Sequence, residues 1–149
     1  MISSHEKEGY DGRTLELYHM TSSTGAGSIV TQKYMKPGSQ GMFGPAIYFA
    51  ETREACQKKA KYQDALLIAK VKVGVSLICR RADYNLNYQT VSSLGCHSVK
   101  GVDCVTSVEY AIYNSVQIIE IKIAPFFPLY ITLPGGAEIR AEGCDIQFE

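Results

Sequence analysis

Two segments with strong strand character constrain this chain most, because they predict that it folds around a β-sheet. Residues 65–73 (ALLIAKVKV) begin as a continuous apolar run and then alternate, which is typical of a central strand. Residues 116–123 form a second predicted strand, in which QIIEIKI alternates after its first step. Shorter strand patterns occupy residues 14–18, 47–50 and 109–113. We therefore expect a sheet of several strands.

Helical patterns are few and lie between these strands without a regular order. One helix is predicted from Ser23, with Ser23 or Thr24 as its N-cap, and another over residues 51–63 with Thr52 as its cap. Residues 36–44 (KPGSQGMFG) predict a loop. Strands and helices that do not alternate as βαβ units indicate an α+β domain with a largely antiparallel sheet.

Weaker patterns complete the expected organisation. Residues 80–101 predict a loop region with one short helix, and residues 129–133 allow an edge strand. We expect an N-terminal extension over residues 1–13, one domain over residues 14–133 and a C-terminal tail over residues 134–149.

Length and charge exclude several classes of protein. A chain of 149 residues with 46% hydrophobic residues can bury one ordinary core. Its 15 basic and 15 acidic residues balance, so no overall positive field favours nucleic-acid binding, although a local basic patch stays an alternative. The apolar stretch over residues 117–133 contains charged residues and two prolines, so no membrane span is expected.

The cysteines predict free thiols rather than a metal site or a disulfide framework. The five cysteines are odd in number and include no CxxC spacing; they are Cys56, Cys79, Cys96, Cys104 and Cys144. Residues 1–10 are polar and lack the apolar segment of a secretory signal. We therefore expect a cytoplasmic or nuclear protein without a bound metal.

Three motifs in the chain resemble the catalytic domain of poly(ADP-ribose) polymerases. Residues 17–22 (LYHMTS) are similar to the family's LYHGTS segment, and residues 42–51 (MFGPAIYFAE) to its MFGxGIYFAE segment, most closely as tankyrases write it. Residues 97–101 (HSVKG), followed by residues 108–114 (VEYAIYN) and Gln117, resemble its HSVxG, EYVIY and Q region. The motifs occur in the family's order and together extend over most of the predicted domain.

The resemblance implies an ADP-ribosyltransferase fold, in which a split antiparallel sheet with a few short helices grips an extended NAD. No helical regulatory domain is expected in so short a chain. His19 would then bind the adenine-side ribose, Tyr48 would stack on the nicotinamide ring, and Glu109 would bind the nicotinamide-side ribose. The resemblance implies further NAD-binding positions at Met20, Thr21, Phe49, Ala50, Cys56, Lys59 and Ser98. Helical spacing adds Tyr62 as a further candidate.

The expected chemistry fits these residue types. Breaking the bond from ribose to nicotinamide creates positive charge on the sugar, as glycosidases also face, and a fixed carboxylate such as Glu109 stabilises it. Tyr48 would hold the leaving ring in line. His19 would position a ribose hydroxyl by hydrogen bonding, because any protonation state of an imidazole can do so.

Each of these residues also has a plainer interpretation, as a core aromatic, a satisfied histidine or a solvated charge. The chain departs from the family where the glycine after the histidine is Met20, and where a hydroxyl residue and a stacking tyrosine are replaced by Cys56 and Lys59. Tyr62, about one helical turn beyond Lys59, is the alternative stacking residue.

We therefore predict an enzyme that binds NAD as its co-substrate and transfers single ADP-ribose units to an acceptor, which we expect to be a protein; a nucleic-acid acceptor stays an alternative. Two rival interpretations stay open. One is a catalytically silent module that binds NAD or ADP-ribose, and the other is a protein-interaction domain on the same scaffold.

Overall fold

A computed structural model describes residues 5–59, 65–104, 106–124, 130–132 and 138–140. The chain is a mixed α+β protein, as predicted, with an eight-stranded, mostly antiparallel sheet and three short α-helices in this part. The strands of the sheet are β1 (Lys7–Gly9), β2 (Thr14–Thr21), β3 (Ile47–Ala50), β4 (Ala65–Lys72), β5 (Val75–Cys79), β6 (Ser98–Gly101), β7 (Glu109–Ile112) and β8 (Ile118–Ala124).

The strand order across the sheet is β1-β5-β6-β7-β3-β2-β4-β8. Neighbouring strands are antiparallel except for the parallel pair β5 and β6. Two further short strands, β9 (Tyr130–Thr132) and β10 (Glu138–Arg140), pair with each other as a separate sheet. The predicted edge strand over residues 129–133 thus exists as a strand, but its described partner is β10.

The pairing of β2 with β3 divides the large sheet into two halves. β2 pairs with β4 along its whole length, and β3 pairs with β7 at all four of its residues. Between β2 and β3 there is a single pair, Tyr18 with Ala50. We call this junction the seam. Beyond that pair the ladder is not continued, so the seam is where the main chains of two half-sheets part.

Three helices pack against the half-sheets: α1 (Ser23–Gln32), α2 (Arg53–Lys59) and α3 (Tyr88–Ser93). The cap of α1 is Ser22, whose hydroxyl accepts a hydrogen bond from the Gly25 N–H at 3.0 Å. The predicted cap, Ser23 or Thr24, was therefore wrong by one or two residues. Both of those residues lie inside the first turn.

The cap of α2 was predicted correctly, although its start was not. Thr52 accepts a hydrogen bond from the Ala55 N–H at 3.2 Å, so the helix begins at Arg53 and not at Glu51. The predicted C-terminal part of this helix, residues 60–63, lies outside the described residues.

The sequence patterns missed three strands of the large sheet, β1, β5 and β6, and they also missed β10 in the predicted C-terminal tail. The first three are short and lie together at one side of the large sheet, where β5 pairs with both others. Residues 80–101 contain the predicted short helix, α3, but end in β6 instead of a loop. The predicted N-terminal extension also contributes β1 to the sheet, through residues 7–9.

Gly74 makes the tight turn from β4 to β5. Its backbone has a φ of +57°, a conformation that glycine adopts at little cost. A side chain there would also collide with the ring of His97. The turn therefore joins the two half-sheets through a residue that carries no side chain.

The main hydrophobic core lies on one face of the sheet, against α1. Its buried members come from four strands of both half-sheets and from the helix, among them Leu17, Ala26, Phe49, Leu67, Val71, Tyr110 and Ile112. Across the described ranges, no helix has the length and apolar character that crossing a membrane requires.

Candidate functional site

The predicted catalytic residues lie at the seam and on the strands beside it. His19 is on β2, Tyr48 is on β3, and Glu109 is the first residue of β7, which is the next strand along. All three side chains are partly exposed. The strand order β7-β3-β2 thus brings together three residues that are far apart in sequence.

His19 bridges the seam by a side-chain hydrogen bond. Its Nδ1 atom lies 2.8 Å from the backbone carbonyl oxygen of Tyr48. Because a carbonyl oxygen only accepts, Nδ1 must carry the proton, and Nε2 of the neutral ring is then an acceptor. The seam therefore fixes both the position and the tautomer of this imidazole.

The imidazole of His19 is held in a largely apolar environment. Its ring meets the ring of Phe49 edge-on, with centroids 5.8 Å apart. Burial lowers the pKa of His19, and the hydrogen bond to Tyr48 opposes that shift in part. The ring is consequently neutral near pH 7, with Nε2 able to accept a hydrogen bond from a hydroxyl group.

The phenol of Tyr48 is fixed by two hydrogen bonds to the loop that precedes it. Its hydroxyl donates to the carbonyl oxygen of Gly44 at 2.6 Å and accepts from the N–H of Phe43 at 2.9 Å. The Phe43 ring lies nearly parallel to it, with centroids 6.5 Å apart. Tyr48 therefore offers an oriented aromatic ring rather than a mobile one.

Glycine at position 41 makes room for that ring. A Cβ atom on Gly41 would lie 2.4 Å from the Tyr48 hydroxyl oxygen and 2.5 Å from a ring carbon. Gly41 belongs to the predicted loop over residues 36–44, and the observed loop brings its backbone against the phenol. The sequence showed a glycine-rich loop here but gave no sign of this contact.

Glu109 shares a face of the sheet with Tyr48. In the antiparallel register Ala50 is opposite Glu109 and Tyr48 is opposite Ala111, so both side chains project to the same side. Burial raises the pKa of Tyr48, and the negative charge on Glu109 adds to that shift. The hydrogen bond from the Phe43 N–H opposes that shift and lowers the pKa.

The three residues do not all point the same way. Tyr18 is opposite Ala50, so strand alternation sends Tyr18 and Met20 to the side of Tyr48 and sends His19 toward Phe49. The imidazole meets the backbone of Tyr48, whereas the carboxylate and the phenol share a face. The imidazole therefore lies on one face of the sheet, and the phenol and the carboxylate lie on the other.

Met20, Ala50 and Cys56 lie behind this arrangement in one buried apolar cluster, which also contains Leu66, Ile68 and Ala124. Met20, at the position where the resemblance leads us to expect a glycine, therefore packs on two of the residues predicted to bind NAD. Cys56 belongs to the same packed cluster, so its thiol is buried.

The other predicted NAD-binding positions are distributed unevenly. Thr21 ends β2 and is half-exposed beside the start of α1, whereas Phe49 is buried in the main core. Lys59 ends α2, and Tyr62 lies outside the described residues. Only Thr21 among these places a described, accessible side chain near the seam.

Ser98 is not brought to the seam. It lies on β6, with β7 and β3 between it and β2, and it is fully buried. Its hydroxyl donates to the carbonyl oxygen of Val73 at 2.8 Å and lies 2.6 Å from the Ser76 hydroxyl. This arrangement gives Ser98 a structural role and leaves its side chain no access to a ligand.

Tyr113 is a residue that the sequence patterns did not select. Its buried hydroxyl donates to the carbonyl oxygen of Phe43, in the same loop that holds Tyr48. Two tyrosine hydroxyls therefore anchor residues 43 and 44. The alternation of residues 109–113 predicted a strand, but nothing in it marked Tyr113 as a loop anchor.

A separate cavity of about 290 Å³ lies away from the seam. Its lining includes Asp11, His97 and Gln117. None of the three predicted catalytic residues lines it. In the described ranges, no group of three or more histidine, cysteine, aspartate or glutamate side chains is arranged to hold a metal ion.

Comparisons of the sequence with protein families and with curated proteins identify no family for this chain. No model of a protein family matches the chain, and no curated protein matches it in sequence.

Proposed function

We propose that the chain is an NAD-dependent ADP-ribosyltransferase that releases nicotinamide and passes ADP-ribose, as single units, to an acceptor that is a protein. One observation carries the proposal: His19, Tyr48 and Glu109, from three distant motifs, lie on the neighbouring strands β2, β3 and β7 beside a seam where two half-sheets part, and the His19 ring contacts the Tyr48 backbone. A split in a sheet with polar side chains on both sides suits an extended ligand such as a dinucleotide.

His19 would bind one ribose of NAD through Nε2. The Tyr48 carbonyl holds the proton on Nδ1, so the neutral ring presents an acceptor lone pair to a sugar hydroxyl. Its role would be positioning, not proton transfer.

Tyr48 would align the nicotinamide ring, and Glu109 would stabilise the sugar. The two hydrogen bonds to residues 43 and 44 hold the phenol in place, which is the preorganisation that stacking requires. The Glu109 carboxylate lies on the same face and would both accept a hydrogen bond from a ribose hydroxyl and stabilise developing positive charge.

The transfer itself would break the bond from the ribose carbon to the nicotinamide nitrogen, and the bonding electrons would leave with neutral nicotinamide. The acceptor nucleophile would then form a new bond to that carbon and lose its proton to solvent. The residues of the chain orient the sugar and stabilise its charge, so no other reactant is required.

The decisive experiment follows nicotinamide release and protein labelling with NAD labelled in its adenosine part. Glu109→Gln should lower nicotinamide release by about 10²–10³ while NAD affinity changes only a few-fold, because the carboxylate acts mainly in the transition state. Glu54→Gln, which removes an exposed carboxylate on α2, is the matched control and should leave the rate unchanged. Equal rates in wild type and Glu109→Gln would refute the assigned role.

A second candidate function is a silent module that binds NAD or ADP-ribose without cleaving it. It is favoured by Met20, which packs in one cluster with Ala50 and Cys56 where the resemblance expects a nicotinamide slot. This alternative predicts that wild type binds ADP-ribose but releases no nicotinamide. Met20→Ala should then increase nicotinamide affinity, whereas no binding of either ligand would reject both functions and favour an interaction domain.

A further inference from the structure

Among the residues that the structure describes, the outermost strand of the large sheet, β8, has no strand partner on one of its two edges. It pairs with β4 from Leu66 to Val71, and β4 is its only strand partner among the described residues. An edge strand presents backbone N–H and C=O groups that can pair with another chain. The side chains along β8 indicate which partner would pair with this edge.

The sequence of β8 is self-complementary around Ile121. The segment reads Ile119, Glu120, Ile121, Lys122, Ile123, so the charge changes sign on passing through its centre while the apolar residues repeat. In an antiparallel pair of identical strands centred on Ile121, Glu120 lies opposite Lys122, and Ile119 lies opposite Ile123. The two-fold axis generates the Glu120–Lys122 pair twice, and both copies of the pair join unlike charges.

The neighbouring registers lack this complementarity. A pair centred on Glu120 places Glu120 against itself, and a pair centred on Lys122 places Lys122 against itself; like charges directly opposite are destabilising. A shift by one residue of one strand alone would turn opposed side chains to different faces of the sheet. The register centred on Ile121 is therefore selected by charge as well as by strand geometry.

Exposure supports the same partner. Ile119 and Ile123 are 51% and 50% exposed, although both belong to the sheet. The Glu120 and Lys122 side chains are exposed too. A lone lysine on an edge strand normally opposes association, but here the partner's glutamate would face it.

The bulge in β8 bounds the interface. The register with β4 shifts between Lys70 and Val71, which leaves Ile119 as the extra residue. Regular backbone pairing is thus centred on Glu120 to Lys122, and Ile119 contributes apolar contact at the margin. So short an interface indicates an association that depends on concentration rather than an obligate dimer.

We propose that two copies of this chain associate through antiparallel pairing of β8 with β8 about a two-fold axis at Ile121. The eight-stranded sheet of each copy would continue into that of the other. The Glu120–Lys122 pairs would set the register and the choice of partner, since electrostatic complementarity acts mainly on specificity.

The test measures the mass of the full chain by sedimentation velocity from about 1 µM to about 500 µM, the range over which weak dimers form. Wild type should shift toward twice the 16.4 kDa mass of the monomer as concentration rises. Glu120→Lys and Lys122→Glu should each raise the dimer dissociation constant about tenfold, because two attractive pairs become repulsive. Circular dichroism melting curves confirm that each variant is folded.

Mixing gives the sharpest outcome. Glu120→Lys and Lys122→Glu chains place opposite charges against each other, so an equimolar mixture should associate again as a heterodimer, and the double variant should associate like wild type. Arg81→Glu reverses an exposed charge just after β5, on the far side of the sheet from β8, and should leave the dissociation constant near that of wild type. A monomeric wild type at every concentration, or a mixture that associates no better than either variant, would overturn the proposal.

Discussion

The two half-sheets on either side of the seam are stabilised in different ways. In β2, β4 and β8, the central strand β4 is buried over nearly its whole length and is held mainly by apolar packing. The half containing β1, β5, β6, β7 and β3 has short strands joined by specific polar contacts. Apolar packing, which follows the hydrophobic pattern of the sequence, therefore stabilises one half, and hydrogen bonds and ion pairs between particular atoms stabilise the other.

The polar contacts of the second half converge on β5 and β6. Arg13 donates to the carbonyl oxygen of Gly74 and to the Ser76 hydroxyl, which in turn meets Ser98. Lys100 pairs with Glu8 at 2.8 Å across the same edge. The imidazole of the candidate site comes from the apolar half, whereas its phenol and its carboxylate come from the polar half. Disruption of either half should therefore disturb the site.

The largest effect is expected from a cavity in the apolar half. Leu67 is fully buried in the centre of β4, so Leu67→Ala should lower the free energy of unfolding by about 3 kcal/mol. Urea denaturation measures the change. Val116→Ala, at a side chain that is 79% exposed, is the control and should cost less than about 0.5 kcal/mol. Equal losses in the free energy of unfolding for Leu67→Ala and Val116→Ala would mean that apolar burial in β4 does not stabilise this half of the sheet.

A glycine substitution in the polar half should have the next largest effect. Gly44 has a φ of +83°, and a Cβ atom there would collide with the carbonyl oxygen of Leu86. Gly44→Ala should cost about 2 kcal/mol or more, since the αL conformation alone costs about 1–2 kcal/mol with a side chain. It should also displace Tyr48, whose hydroxyl donates to Gly44, and so weaken NAD binding.

Gly27 provides the matched control in the other half. It lies inside α1, and a Cβ atom there meets nothing within 4 Å. Gly27→Ala should therefore raise the free energy of unfolding by about 0.5–1 kcal/mol. If both substitutions stabilised the protein, the strained turn at Gly44 would not be a determinant of the fold.

Leu67 and Gly44 show what could be predicted from the sequence and what could not. The apolar run that contains Leu67 predicted β4 as a central strand, because burial leaves a periodic trace in the order of residues. Gly44 appeared only as part of a glycine-rich loop, since its φ and its contact with Leu86 depend on a residue distant in sequence. Strands β1, β5 and β6 were missed for the same reason: short segments gain their strand state from partners, not from local pattern.

The candidate site was likewise predictable from the sequence only in part. The strand patterns predicted the strands that contain Tyr48 and Glu109, and they ended the first strand at residue 18, just before His19, which β2 contains. The sheet order places these three strands beside one another. The motifs did not predict that the His19 ring meets the Tyr48 backbone, nor that Ser98 is buried in a hydroxyl network. Motif spacing identifies residue types, but only the register shows which face each side chain occupies.

A third prediction tests the hydroxyl network in the polar half. Ser98→Ala removes the donor to the Val73 carbonyl oxygen and a partner of Ser76, both in a buried setting. Loss of such a buried hydrogen bond should cost about 1–2 kcal/mol in the free energy of unfolding. NAD affinity, measured by calorimetry, should not change in the folded variant. A large loss of affinity without loss of stability would instead restore Ser98 to the ligand site.

The smallest effect concerns pH and the histidine at the seam. Burial lowers the pKa of His19 below its usual 6.5, so the folded protein holds the ring neutral while the unfolded chain protonates it at the usual value. Between those two pKa values the unfolded state binds more protons, so stability rises with pH in that window. The stabilising contribution is complete above about pH 6.5 and is lost as the pH falls toward the folded-state pKa.

His19→Asn keeps a donor near the position of Nδ1 but removes the titrating group. Urea midpoints compared at about pH 5.5 and about pH 7.5 should fall more on acidification for wild type than for His19→Asn, because only wild type has this ring to protonate. The carboxylates titrate in both proteins, so the difference between the two curves isolates His19. Identical curves would mean that the folded protein protonates this ring as readily as the unfolded chain does, and Nε2 would then not stay the acceptor on which the proposed ribose contact depends.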